Sequence, residues 1–592
     1  MSAPRDAWRP PALLAAWLLA VIVLVTWPMA ADPTGAILGH PECTAGCHVW
    51  VLWWAQEHVQ DLHTELLFFP RGADVITLYG SDLLSPLLLR WVPASPVLLY
   101  NLWVVALLGI GGGGVAALGR RLGGTWGGAA VAATAWVSAP FFQHELLNGT
   151  SELLAAGFLP WFARAVLDSL DRPAIRSGVT LGLVTALGVA ASAYNLFFML
   201  VIGLCILLHR LSTTRPAVLT RDVLRRGALG VAVACGLMAP MVWLQLSHGA
   251  GQTLARRESW LEQDPPLPDS FAWLSDWVDP RAADIPAMLA LPGGGEFAYW
   301  TTCTVFLGFS TLVLAGLGWS RARTETTPGS HGRTLTPFAL MAVVAALIAM
   351  GPILRWDGDP VVWFGTTVPL PAVVISELFP PFVLTALHAY RYASVVLVGV
   401  TALVARSVRH PAWAAVVLAE SLALSPVPWP AVTTPVPGGP VLKALAAAEP
   451  GGVLSVPVER EDLGDLSWML LAQTRHGKPV QDGGIHRRAG AEATSLFTDN
   501  PLLLSLATQG PVDWPTGRAA TYYLDALYRE GYRYALAPAD QDDAIQWLSL
   551  VVGAPAHADE AWLMWELVAP SPAAPAPAPP PDPSPAPDPA AP

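Results

Sequence analysis

Residues 11–31 read PALLAAWLLAVIVLVTWPMAA, an apolar run without a charge, and Arg5 and Arg9 stand just ahead of it. A helix needs about 20 such residues to cross the hydrocarbon of a bilayer, so the stretch reads as a membrane span. Met29-Ala30-Ala31 also fits a signal-peptide cleavage site. The length of the run and the apolar runs that follow favour a retained anchor.

Outward from this stretch the pattern repeats. Spans are expected near 97–118, 126–143, 152–168, 176–191, 194–209, 228–247, 299–319, 336–354, 391–406 and 411–428, about eleven in all. The 176–191 and 194–209 pair leaves only a short turn around Ala193-Tyr194-Asn195. Composition agrees: 53% of the 592 residues are hydrophobic, 13% are charged and the mean hydropathy is +0.45, whereas soluble chains carry about 25% charged residues. The net charge of −12 argues against a nucleic-acid partner, which calls for clustered positive charge. The richness in Ala, Arg, Pro and Gly suggests a GC-rich bacterial genome.

Orientation follows from arginine, since cytoplasmic loops collect it. With the N-terminus inside, the inner loops hold Arg120 and Arg121, Arg172 and Arg176, Arg210 to Arg226, Arg321 to Arg333, and Arg406 and Arg409. The loops 32–95, 248–298 and 355–390 face outward, and the first two are acidic. An odd number of spans places the C-terminal part on the exoplasmic side of a bacterial cytoplasmic membrane. Loops of this length carry function more often than short connectors do.

The fold class expected is therefore a polytopic α-helical membrane protein over 1–430, followed by an exoplasmic α/β domain over 431–569. That domain rests on alternating signals: a helix at 441–448, a strand at 453–458, helices at 466–473, 520–530 and 540–552, and strands at 532–537 and 561–568. Residues 570–592 are a Pro/Ala tract with the composition of disorder.

Chemistry is expected on the outward loops. The first opens on Asp32, continues through Glu42-Cys43, and enters an aromatic helix with His48, Trp50, Trp53 and Trp54. A carboxylate there is suited to general-base work and indoles to a sugar face. Interfacial anchoring explains the same tryptophans, and both readings stand. Cys43 and Cys47 are either a disulfide or two free thiols. A second cluster is Gln143-His144-Glu145 with Asn148-Gly149-Thr150-Ser151-Glu152, where Ser151 and Glu152 also suit a helix start. Arg391, in His388-Ala389-Tyr390-Arg391-Tyr392, begins a span on the side where arginine is disfavoured. It therefore suits an anion such as a lipid phosphate, or else a loop carboxylate. The sequence shows no cysteine–histidine metal spacing, Walker loop or nucleophile elbow. The run Gly111–Gly114 reads as close helix packing.

Taken together, a long outward loop after the first span, an acid ahead of Trp-x-x-Trp-Trp, Pro-Arg-Gly, Asn-Gly-Thr-Ser-Glu, and a Gly-Pro…Pro-Leu-Pro…Tyr-Arg-Tyr loop resemble the bacterial membrane glycosyltransferases of the GT-C superfamily. The resemblance implies transfer of a sugar from a polyprenyl-phosphate carrier, with the lipid-linked sugar as donor substrate and no cofactor. It implies Glu42 or Asp32 as the catalytic acid, and His48, Trp50, Trp54, Glu152 and Arg391 around the substrate, with Arg391 on the donor phosphate. Two departures are visible. Cys43-Thr44-Ala45-Gly46-Cys47 stands where an Asp is usual, and His388 stands where a second Arg is usual. A non-catalytic envelope protein that binds or moves a lipid-linked glycan is the alternative. A solute transporter would call for matched halves, and no internal repeat is present.

Overall fold

Apolar runs decide where the helices lie. The computed structural model describes residues 11–41, 43–80, 82–171, 174–218, 220–262, 306–324, 335–351, 354–356, 359–363, 366–372, 375, 389–458, 463–483, 495–497, 499–508 and 510–568. They form two compact units. One comprises residues 1–60 and 79–436, the other 61–78 and 437–592.

The main helices of the first unit are α1 Pro11–Val25, α2 Ala45–Glu57, α3 Leu84–Leu89, α4 Pro96–Arg121, α5 Trp126–Val137 and α6 Pro140–Leu147. They continue as α7 Ser151–Asp171, α8 Ile175–Ala191, α9 Tyr194–Val218, α10 Arg221–Glu262, α11 Phe309–Thr324, α12 Thr336–Ala349, α13 Ala389–Ser407 and α14 Trp413–Leu424. Among the described residues, stretches of α4, α7, α9, α10 and α13 are long and apolar enough to cross a membrane, and α1, α8, α12 and α14 are shorter apolar helices. The expected span at 126–143 is broken in two. Pro140 cannot donate to the helix behind it, so α5 ends at Val137 and α6 starts afresh at Pro140. The expected span at 299–319 lies outside the described residues as far as 305.

The turn between α8 and α9 shows how a short connection survives inside an apolar bundle. The Asn195 amide, fully buried, donates to the carbonyls of Ala155 (3.0 Å) and Gly188 (2.8 Å). Asn101 does the same for the loop after α1. Its amide nitrogen donates to Pro33 and Ala36, and its oxygen accepts from the Leu38 amide. Where no water reaches, side chains must satisfy backbone freed from helices. β1 (Ala36–Leu38) then pairs antiparallel with β2 (Thr433–Pro435), which joins the start of this unit to its end.

Charges collect at one end of the bundle. Arg121, at the foot of α4, bonds Asp168 (2.7 Å) and Asp171 (2.8 Å) of α7. Asp171 also takes Arg210 of α9 (2.9 Å). Between the ends, glycines let helices close on indoles. A Cβ on Gly111 would lie 2.2 Å from Nε1 of Trp136, and one on Gly114 would lie 2.7 Å from Trp161, whose Nε1 donates to the Ile110 carbonyl at 2.9 Å.

The second unit is a mixed four-stranded sheet with helices. Its strands are β3 Gly452–Ser455, β4 Tyr532–Pro538, β5 His557–Ala558 and β6 Trp562–Glu566, in the order β5-β6-β4-β3. Only the β3–β4 pair is parallel. The chain between those two strands carries the helices Leu463–His476, Pro501–Thr508 and Gly517–Arg529, as a parallel crossover requires. Residues 61–78 also belong to this unit. The Leu66 carbonyl accepts from the Val480 amide (3.0 Å), the Phe69 amide donates to the Val480 carbonyl (3.0 Å), and Arg71 pairs with Asp499 (2.5 Å). The stretch 32–95 is thus shared between the two units.

Replacing Gly111 by Val drives a branched side chain into Trp136. It is expected to destabilise the protein by about 1–3 kcal/mol, read as a lower midpoint of thermal unfolding in detergent.

Candidate functional site

The site is built where four helices begin. Tyr100 stands in the first turns of α4, Glu152 opens α7, Tyr194 opens α9 and Arg391 opens α13. The Arg121 end of α4 and the Asp168–Asp171 end of α7 are the opposite termini of the same helices.

A sewn turn brings α2 to this place. The His40 amide donates to the Leu147 carbonyl (2.9 Å), and both the amide (3.1 Å) and the hydroxyl (3.0 Å) of Thr44 reach the Asn148 carbonyl. Gly149 has φ +67°, and a Cβ on it would sit 2.4 Å from the Ala45 nitrogen. Glycine is therefore required there for conformation and for approach. His48, one turn into α2, then meets Glu152. Its Nε2 lies 3.1 Å from Oε2 of Glu152, and its Nδ1 lies 4.0 Å from Oδ2 of Asp82. The ring stacks over Tyr100 with centroids 6.2 Å apart. Asp82 is held by Ser85, whose hydroxyl donates to Oδ2 at 3.0 Å and whose amide lies 3.4 Å from Oδ1.

Beyond Glu152 lies Arg391, only 7% exposed. Its guanidinium lies over the ring of Tyr194 (4.6 Å) and near that of Tyr390 (5.8 Å). Its charge acts on both Glu145 and Glu152. Among the described residues it forms no ion pair within 4.0 Å, and its Nε has no hydrogen-bond partner. Glu145 is fully buried and accepts from the Thr150 hydroxyl. The groups thus alternate in sign, Asp82, His48, Glu152, Arg391 and Glu145, with His48 in contact with both Asp82 and Glu152.

The environment tunes the members that lie outside the spans. Burial pulls His48 down, but the Glu152 carboxylate 3.1 Å away and the charge of Asp82 outweigh it and hold the imidazole above its ordinary value. Burial lifts Asp82 to about 6 and Glu145 to about 7, against the lowering pull of His48 on the first and of Arg391 on the second. Carboxyls that titrate near neutrality are common where protons are moved.

Of the residues expected from sequence, His48, Glu152 and Arg391 come together. Glu42 lies outside the described residues. Asp32 is exposed and spends Oδ1 on the Gly35 amide at 2.9 Å. The expected sugar platform is corrected: Trp50 and Trp54 are 0% and 3% exposed, and Trp50 packs against Trp53 and Tyr79. An indole enclosed in the core presents no face to a ligand. Cys43 and Cys47 are free thiols, and burial pushes both up to about 12. Asn148 of the glycosylation-like triplet is buried, its amide 2.8 Å from Nε2 of His144. Asp82 was missed. Its signal is an acid three residues ahead of Ser85 at the mouth of an apolar helix, the spacing of a side-chain cap. Among the described residues, no group of three or more His, Cys, Asp or Glu side chains is arranged to hold a metal ion.

No protein-family model and no curated protein sequence matches the chain. Solved structures do. The arabinofuranosyltransferase AftD from mycobacteria aligns with 95% of this chain and 40% of its own at 15% identity, with a TM-score of 0.52. The chain thus spans less than half the length of that protein. An oligosaccharyltransferase, AglB from Archaeoglobus fulgidus, solved with an inhibitory peptide and a dolichol-phosphate, aligns with 92% of this chain and 71% of its own at 10% identity (TM-score 0.45). ArnT from Cupriavidus metallidurans, solved bound to undecaprenyl phosphate, aligns with 94% and 98% at 13% identity (TM-score 0.41). The last two scores are too low to carry an argument. At 15% identity the likeness to AftD is one of fold.

A group whose pKa is raised on folding keeps a proton that the unfolded chain has lost. Stability supplied by Asp82 and Glu145 is therefore complete below about pH 4 and is lost as pH rises through 6 to 7, by a few kcal/mol. Glu145→Gln removes its share, so its unfolding midpoint should vary less than that of the wild type across a pH series from 4 to 7.

Proposed function

We propose that the chain is a membrane glycosyltransferase that takes a sugar from a polyprenyl-phosphate carrier on the exoplasmic face. The observation that carries this reading is Arg391. A buried guanidinium with no ion-pair partner among the described residues is costly. Here it is framed by two tyrosine rings and set where a helix begins, so the site favours an anion. The phosphate of a lipid carrier supplies that anion, and its chain needs an apolar solvent, which the exposed apolar faces of the bundle adjoin. The arginine-rich ends of α4 and α9 face the cytoplasm in this reading, and the C-terminal unit lies on the exoplasmic side.

The reaction then needs little from the protein. The acceptor hydroxyl oxygen forms a bond to the anomeric carbon as the bond from that carbon to the phosphate oxygen breaks. The carrier phosphate departs with the electron pair, and Arg391 stabilises the charge it gains. The proton of the hydroxyl passes to a carboxylate of the first loop. Glu42 is the proposed base, since it directly precedes the sewn turn Cys43-Thr44 that positions His48. Asp32, exposed and bonded within its own loop, is the weaker candidate.

A second reading, binding or moving a lipid-linked glycan without chemistry, is favoured by a specific observation: the described carboxylates of the cluster are already engaged, Glu152 by His48, Asp82 by Ser85 and Glu145 by Thr150. Glycolipid and surface-glycan profiles by mass spectrometry separate the two. Deletion of the gene, Arg391→Gln and Glu42→Gln should all lose the same sugar, with turnover down by about 10²-fold or more for each variant. A profile changed by deletion but not by Glu42→Gln leaves the binding reading. A profile unchanged by Arg391→Gln overturns the phosphate assignment.

A further inference from the structure

The alternating line of charges poses a question that the transfer reaction leaves open: why does Glu152 not close on Arg391? Arg391 is buried, Glu152 is half-buried, and the two are opposite in charge. Yet no ion pair within 4.0 Å joins them, while Glu152 lies 3.1 Å from His48. His48 is in turn backed by Asp82 at 4.0 Å, and Ser85 holds Asp82 in place.

We propose that His48 is a positioning residue. As an imidazolium bridging Asp82 and Glu152, it draws the Glu152 carboxylate away from Arg391 and so keeps the guanidinium available for the phosphate of the carrier. Without that charge, Glu152 turns to the nearest remaining cation, and the anion site is closed by the protein's own carboxylate. The inference rests on the reading of Arg391 as a phosphate site.

The surroundings of His48 support the charged form. From α2 itself it is neighboured by Cys47. The start of α3 presents Asp82 and Ser85, α4 presents Tyr100, and α7 presents Glu152, with Glu145 and Arg391 beyond. The two facing acids outweigh the effect of burial and hold the imidazole above its ordinary value. The imidazolium therefore persists to higher pH than that of a free histidine and is lost as pH rises further. Anion affinity should fall over that interval. The second ionisation of a phosphate monoester, near pH 6, makes the ligand more negative as pH rises and would by itself strengthen binding to an arginine. A fall in affinity therefore has the sign opposite to the titration of the ligand.

The test uses the full-length protein in lipid nanodiscs and a polyprenyl monophosphate as probe, with binding measured from about pH 6 to about pH 9. Wild-type affinity is expected to fall by about tenfold across the range. His48→Gln should bind about tenfold more weakly at pH 6 and show no pH dependence of this sign. His48→Gln combined with Glu152→Gln should recover most of the lost affinity, because no carboxylate remains to occupy Arg391. A merely structural role for His48 predicts no such recovery. Should His48→Gln fail to fold, Glu152→Gln alone decides: it should bind at least as tightly as the wild type at pH 9 and lose the fall with pH. Wild-type affinity that rises or stays level with pH overturns the proposal, as does a double variant no better than His48→Gln. If Arg391→Gln binds the probe as the wild type does, the phosphate reading itself has failed, whatever the His48 variants do.

Discussion

An amide buried among helices has no water to turn to, and much of the first unit is arranged around that constraint. Three places where the chain leaves helical geometry are met by a side chain that takes over the orphaned carbonyls: Asn101 at the loop after α1, Thr44 where α2 meets the 148 turn, and Asn195 between α8 and α9. Polar groups can be buried only where such partners exist. The broken backbone and the buried charges therefore gather at the same helix starts. The candidate site is in this sense a by-product of how the bundle accommodates its irregular turns, turned to use by the charges placed there.

Those charges hold one another in balance. A guanidinium, an imidazole and three carboxylates within one buried neighbourhood would be costly singly. Placed in alternation, each has an opposite neighbour, and the aromatic rings of Tyr100, Tyr194 and Tyr390 fill the flanks. Low dielectric strengthens every such contact and penalises every gap. Small changes in one member are consequently felt by the rest.

The helices were legible in the sequence because apolar length is the property that bilayers select. The expected spans at 97–118, 152–168 and 391–406 fall within α4, α7 and α13. The break at Ser138-Ala139-Pro140 was not legible, since hydropathy averages over it and only the missing proline N–H marks it. Within the site, Arg391, Glu152 and His48 could be read from their positions at helix starts, where a charge stands out against apolar flanks. The tryptophans could not be assigned, because an indole suits a lipid interface, a sugar and a core equally well, and here the core won. Asp82 escaped because its distance from His48 is created by the fold, across a loop of more than thirty residues.

The second unit is assembled from two separated stretches of chain. Its C-terminal part, taken alone, would present Val480 without the Leu66 and Phe69 backbone partners, and Tyr532 without the Phe69 carbonyl that its hydroxyl reaches. The 61–78 stretch is bounded on both sides by the helical unit, so it behaves as a graft from the first loop rather than as a linker. A soluble fragment cut at residue 437 would therefore begin life with a groove where its own chain should be. Covalent continuity makes the membrane part and the sheet part inseparable during synthesis as well. The Val480 backbone can meet its Leu66 and Phe69 partners only after the intervening helices have been made. Through that interval the loop carries its own antiparallel pairing of His63–Thr64 with Ala73–Asp74.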